Sequence, residues 1–495
     1  MISPIVLLLI VVAYFFALLF VAWLTGRDNQ QHTFYHGDRK SPWFVVAFGM
    51  IGTTISGVTF ISVPGEVGNS AFHYFQFVLG NVAGYVLIAL FLLPFYYREN
   101  VYSIYSVLEQ KMGREGYLTS SGFFIVSKVI GASFRLFLAV LVLYLAIASP
   151  LGLSFGGTVF LCLLLIWLYT FRSGIKTVVW SDTVQTVMLI AAAVITIVLL
   201  LKQLSFSATD FFSMLKSDPQ TRIFDFQWQS PNNFFKQFFS GIFITLAMNG
   251  FDQDIVQKNL TCKSGKKARK NMLWFSVSFT ITVFLFLILG ALLYSFVEAK
   301  GITLPSKTDQ LYPLIALNYM GSVASVLFIL GISAAAFSSA DSATTALTTA
   351  FCIDFLKLHQ RKQIVQSRVR NLVHLGFSIL IFCVIMLFYK LNNQSVVNAI
   401  FKAAGYTYGP ILGVYLFSFF VPRIPRRKLI LPICLVAPLL TYGITRLLFI
   451  VMDGYVFGFE LIIVSTLLTL ALLTLFSSPK NSVHKKNESE PNSFN

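Results

Sequence analysis

The chain reads as an all-α polytopic membrane protein with about thirteen transmembrane helices. Three observations predict this. Of its 495 residues, 56% are hydrophobic and 12% charged, with a mean hydropathy of +0.75. A soluble fold of this length could not bury so much apolar surface. Apolar runs long enough to cross about 30 Å of hydrocarbon recur along the whole chain. Most of the 37 Lys and Arg fall in alternate loops between those runs, which is the positive-inside pattern for an N-terminus outside and a cytoplasmic C-terminus. The net charge of +17 is then a topology signal, with some attraction to anionic lipid headgroups. It does not call for nucleic acid.

In order, the predicted spans are 4–25, 43–66, 71–97, 119–148, 155–172, 177–201, 233–255, 271–297, 312–356, 371–390, 395–421, 429–451 and 456–477. The first lacks a basic n-region and a clear cleavage site, so it reads as a retained helix. The run at 312–356 is too long for one span and predicts a short extramembrane helix before the true one. The basic segments 258–270, 357–370 and 422–428 are the expected inside loops. The long loop 202–232 is expected outside, as a packed cap or short helices. The polar tail, 478–495, reads as disordered and cytoplasmic. No linker divides the chain, so 1–477 is expected to form one membrane domain. Cys162, Cys262, Cys352, Cys383 and Cys434 lack paired spacing and read as free thiols.

Two spans look broken. Span 43–66 carries Gly49, Gly52, Gly57, Pro64 and Gly65 among the hydroxyls Thr53, Thr54, Ser56 and Thr59. Span 233–255 carries Gly241, Gly250 and the polar end NGFDQDIVQ. They lie five spans apart, and an odd repeat inverts topology. Interrupted helices in corresponding positions of two halves point to a transporter binding site. A third polar feature is GISAAAFSSADSATTALTTAFCID, 331–354. Ala335, Ser338, Ser339 and Ser342 share one helix face there, with Asp341 at the same depth. Such a face suits close packing, or oxygens offered to a hard cation. A carboxylate or guanidinium inside a span is expensive, which singles out Asp341 and Arg135. Lys128, nearer the inner side, is expected to snorkel.

Several segments, in this order, carry a resemblance: GTTISGVTFISVPGEV (52–67), LPFYYRENVYSIYSVLEQKMG (93–113), WSDTVQTVML (180–189), DQDIVQKNLTCKS (252–264), SSADSATTALTTAFCIDF (338–355) and GYTYGPILG (405–413). Over about residues 30–420 the chain resembles the sodium:solute symporter family. The resemblance implies a leucine-transporter-like fold: two inverted five-helix repeats, about 43–201 and 233–421, after an extra N-terminal helix and before two further helices, 429–477. It implies a first sodium site of Gly52 and Ile55 from the break with Ala335, Ser338 and Ser339. It also implies a candidate second cation site of Asp182, Asp341 and Ser342, where Asp341 departs from the serine that relatives carry. Two carboxylates there would both stay ionised only with a cation between them. By the same resemblance Arg135 would receive a substrate carboxylate. Thr54, Ser56, Thr59 and Asn81 would complete a polar pocket, with Gln76 a weaker member.

The expected function is sodium-coupled symport of a small polar organic solute by alternating access in an inner or plasma membrane. A carboxylated solute such as sialic acid is favoured; a neutral sugar, monocarboxylate or vitamin is the alternative, and a ligand sensor on a transporter fold a more distant one. No nucleophile–base pair or metal motif suggests an enzyme. Sodium is the only small cofactor implied, and no obligate protein partner is evident.

Overall fold

A computed structural model describes residues 2–25, 41–99, 101, 103–170, 174–358, 363–391, 396–452 and 455–479. Helix α1 (Pro4–Thr25) is apolar all round. It packs on the core along one side, where Leu7, Tyr14 and Leu18 are buried, and leaves Leu9, Phe16 and Phe20 exposed on the other. That split suits a helix with protein on one side and lipid on the other.

Two sets of five helices follow. The first is a broken helix, α2 (Trp43–Thr54) and α3 (Gly57–Ser70), then α4 (Tyr74–Leu87), α5 (Glu109–Leu143), α6 (Phe155–Thr170) and α7 (Gly174–Gln203). A short helix, α8 (Ala208–Ser217), intervenes. The second set begins with another broken helix, α9 (Phe234–Thr245) and α10 (Gln253–Leu260). It continues through α11 (Gly265–Lys300), the short α12 (Leu311–Asn318), α13 (Gly321–Ala350), α14 (Gln363–Leu391) and α15 (Val396–Phe420). Helices α16 (Ile430–Val451) and α17 (Leu461–Leu475) close the chain. Among the described residues eight helices are long and apolar enough to cross a membrane, with the kinked stretch Gly57–Glu99 taken as one, and three shorter helices are apolar.

Both expected breaks are present. The hydrogen-bond ladder of α2 ends with the Ile55 N–H on the Ile51 carbonyl, at 2.7 Å. Ile55 (φ −81°, ψ 94°) and Ser56 (φ −86°, ψ 177°) are extended, and helix resumes at Gly57. The carbonyls of Gly52, Thr53 and Thr54 are thus left outside that ladder. Helix α9 runs into a π turn at Leu246–Gly250 and stops at Phe251. Asp252 is extended (φ −110°, ψ 122°), and its carboxylate caps α10 by accepting the Asp254 N–H at 2.9 Å.

Helix α13 is the centre of the molecule. Every residue from Gly331 to Ala350 is buried, and the helix packs most extensively on α7 and α5. Its small side chains permit that approach, as is usual for membrane helix seams. Helices α4 and α9 come closer still. A Cβ at Gly80 would lie 2.0 Å from the Phe238 carbonyl oxygen, and one at Gly241 2.2 Å from the Phe77 carbonyl oxygen.

The segment between α7 and α9 folds as a cap. Ser207 and Asp210 form a capping box on α8, and the Ser207 hydroxyl and N–H hold the Asp210 carboxyl below its ordinary range. Gln76 pins the cap: its Nε2 donates to the Asn232 carbonyl at 2.8 Å and its Oε1 accepts the Asp225 N–H at 3.1 Å. At the other end, β1 (Arg423–Pro425) pairs antiparallel with β2 (Ser477–Pro479). The expected disordered tail therefore begins with two residues held in a strand, and 480–495 lie outside the described residues.

Candidate functional site

The break of α2/α3 faces α7 and α13. Gly52 lies against both: a Cβ there would stand 2.5 Å from Thr186 Oγ1 and 3.4 Å from Ser338 Oγ. The Gly52 N–H donates to Thr186 Oγ1 at 2.9 Å, and that hydroxyl donates on to the Asp182 carbonyl at 2.7 Å. From α13, the Ser339 hydroxyl reaches the Thr53 carbonyl at 3.4 Å. Ser338 donates to Asp182 Oδ1 at 2.5 Å. Ala335, Ser338 and Ser339 are all buried. Of the residues expected to hold a first cation, Gly52, Ser338 and Ser339 thus converge on the break. The oxygens there are carbonyls and hydroxyls, the donor set of a hard cation.

The candidate second site is built differently from expectation. Asp182 and Ser342 do come together, but around Lys258, which stands on α10 and is 1% exposed. Its Nζ donates to Asp182 Oδ2 at 2.7 Å and to Ser342 Oγ at 2.6 Å, and also contacts Thr53 Oγ1. Asp341 turns away from this group and accepts from the Tyr169 hydroxyl at 2.8 Å. The sequence reading placed Lys258 in a basic inside loop. The available signal was its spacing from Asp254, an i,i+4 pair on the helix that follows the break.

Beside the first break lies a cavity of about 110 Å³. Thr54, Ser56, Thr59, Asn81 and Arg135, all expected there, line it. Gln76 does not; it is committed to the 202–232 cap. Asn81 accepts from Thr245 at 3.0 Å, which ties α4 to α9. One end of the cavity carries charge that was missed. Lys128 bonds Asp252 Oδ2 at 3.1 Å and Asp254 Oδ2 at 2.8 Å, and Tyr408 donates to Asp252 at 2.8 Å. Lys128 therefore does not snorkel: the second break places two carboxylates within its reach. Arg135 differs. Partly buried on the cavity wall, it makes no ion pair or hydrogen bond with another described residue. On the side of the cavity toward the 202–232 cap, Phe77, Phe401 and Phe459 pack with centroids 4.4–5.4 Å apart.

This is the architecture of an ion-coupled membrane transporter: two broken helices meeting at mid-molecule around oxygens and a lined cavity. Residues 34–427 match the model of the sodium:solute symporter family, and the chain belongs to that family; it is a transporter and not an enzyme. The chain is 23% identical over 472 residues to the sodium/sialic acid symporter NanT of Aliivibrio fischeri, covering 90% of this chain and 91% of that protein. It is 23% identical over 416 residues to the human sodium/iodide cotransporter, covering 82% of this chain and 63% of that one. Among solved structures, a substrate-bound, outward-open sodium-coupled sialic acid symporter superposes with a TM-score of 0.81 at 19% identity, over 95% of this chain and 97% of that one. The fold class expected from the sequence is the one found.

Proposed function

We propose that the protein is a plasma-membrane symporter that imports a small carboxylated, hydroxyl-rich solute together with sodium, with sialic acid the specific candidate. Sodium joins the break to α13 through the Gly52 and Ile55 carbonyls, the Ala335 carbonyl and the Ser338 and Ser339 hydroxyls. By linkage, sodium raises substrate affinity and substrate raises sodium affinity equally. Rocking of one bundle against the other then exposes the cavity inward, with the N-terminus outside and the C-terminus in the cytoplasm.

One observation carries the choice of an acidic solute. Of the two cations that line the cavity wall, Lys128 is ion-paired with Asp252 and Asp254, whereas Arg135 makes no ion pair with another described residue. A substrate carboxylate supplies the missing anion in bidentate form. The surrounding Thr54, Ser56, Thr59 and Asn81 favour an oxygen-rich acid over a bare anion. Relatives named as sialic acid symporters support the same reading. The test is competition for labelled sialic acid uptake. The free acid is expected to compete and its methyl ester or amide to fail; equal competition by the neutral analogue contradicts the reading.

A further inference from the structure

We infer that Lys258 is a built-in cation: its ammonium fills the position at Asp182 that a second transported ion would otherwise take, so this chain carries one ion fewer than its carboxylates suggest. The inference deepens the sodium-coupled reading and rests on it only for the identity of the competing ion.

The geometry is that of a coordinated cation. An ammonium has three N–H donors and no acceptor. Here the three find one carboxylate and two hydroxyls: Asp182 Oδ2 at 2.7 Å, Ser342 Oγ at 2.6 Å, and Thr53 Oγ1. Each hydroxyl passes its own proton on to the same carboxylate, Thr53 at 2.8 Å and Ser342 at 3.4 Å. Asp182 Oδ1 is taken by Ser338 at 2.5 Å. The carboxylate is therefore both neutralised and fully hydrogen-bonded by the protein itself. Asp182 and Lys258 are 0% and 1% exposed, so water supplies neither with a counter-charge.

The position also explains what the lysine does. Its three hydrogen-bond partners come from three elements: Thr53 from the end of α2 beside the first break, Asp182 from α7 and Ser342 from α13. Lys258 itself comes from α10, the second half of the other broken helix. An exchangeable ion at this place would hold those elements together only while bound. A side chain holds them through the cycle, and leaves release at this seam to the neighbouring ion at Gly52 and Ser339. Asp254 Oδ1, 3.7 Å from Nζ, links the ammonium to the Lys128 cluster at the inner end of the cavity.

The experiment counts bound sodium. Purified wild-type protein and Lys258→Met are equilibrated with radioactive sodium, choline replacing it in controls, and ions per chain are measured. Lys258→Met is expected to bind one more sodium than wild type, and to gain thermal stability from added sodium over a wider range. The double variant Lys258→Met/Asp182→Asn removes the cage charge with its cation, and is expected to return to the wild-type count. If Lys258→Met binds no more sodium than wild type, the inference is overturned. Should that variant fail to fold, the double variant decides alone. A wild-type count supports the inference; loss of one ion shows that Asp182 had been holding sodium and overturns it. Wild type binding none while Lys258→Met binds one would refute sodium coupling and leave the built-in cation standing.

Discussion

A guanidinium inside a membrane span costs about 2.5–3.5 kcal/mol even on insertion scales, and Arg135 makes no ion pair with another described residue. In the proposed reading the substrate carboxylate is the anion that faces it. Arg135→Lys keeps the charge and loses the planar fork, so uptake is expected to fall roughly tenfold, the equivalent of about 1.4 kcal/mol for a charged hydrogen bond. The measure is initial uptake rate, with surface expression checked. Lys128 makes the opposite prediction. Lys128→Met leaves Asp252 without its ion-pair partner and Asp254 with only Lys258, at 3.7 Å, and is expected to destabilise the protein by about 3–5 kcal/mol. Adding Asp252→Asn should recover part of the melting temperature; no recovery would mean that Lys128 acts through packing alone. At the proposed sodium site Ser339→Ala removes a hydroxyl that no methyl replaces. The sodium concentration for half-maximal uptake should rise by roughly fivefold to tenfold, about 1–1.4 kcal/mol, with expression retained. Unchanged sodium dependence would remove Ser339 from the site.

Among the elements, the broken helices were the most legible in the sequence, because their signal is compositional. Glycines and hydroxyls crowd one, which breaks at Ile55–Ser56 between Gly52 and Gly57, and the polar run after Gly250 marks the other. The small-residue face of α13 was legible for the same reason. What the sequence did not reveal was which side chains meet across helices. Lys258 looked like one more basic residue beside Lys263, Lys266 and Lys267, because charge patterning does not say where a helix stops. Asp341 looked like the partner of Asp182 because the family resemblance puts both positions at a second cation site; its carboxylate instead accepts from Tyr169, on α6. Gln76 was ambiguous in register, and its true partners lie in the 202–232 loop, which has no periodic signal. The crossing of α4 and α9 gives a prediction at this scale. Gly241→Val forces a side chain against the Phe77 carbonyl, and should lower stability by about 1–3 kcal/mol, as overpacking does. An unaltered melting temperature would mean that the two helices do not approach as closely as described.

For the whole molecule, composition alone established a helical membrane protein, and paired breaks pointed to an inverted repeat. The apolar side chains left exposed on α1, α14 and α16, such as Phe16, Leu372 and Leu439, form the lipid-facing surface that the mean hydropathy demanded. The central claim joins these scales: a sodium gradient drives a carboxylated solute into a cavity lined by Arg135, which forms no ion pair among the described residues. The measurement that tests it most directly is uptake of labelled sialic acid into proteoliposomes of the purified protein under an imposed inward sodium gradient. Accumulation above the external concentration is predicted. It should collapse when choline replaces sodium, and should be lost in Arg135→Gln. Uptake that is equal with and without sodium, or that Arg135→Gln leaves unchanged, would contradict the account.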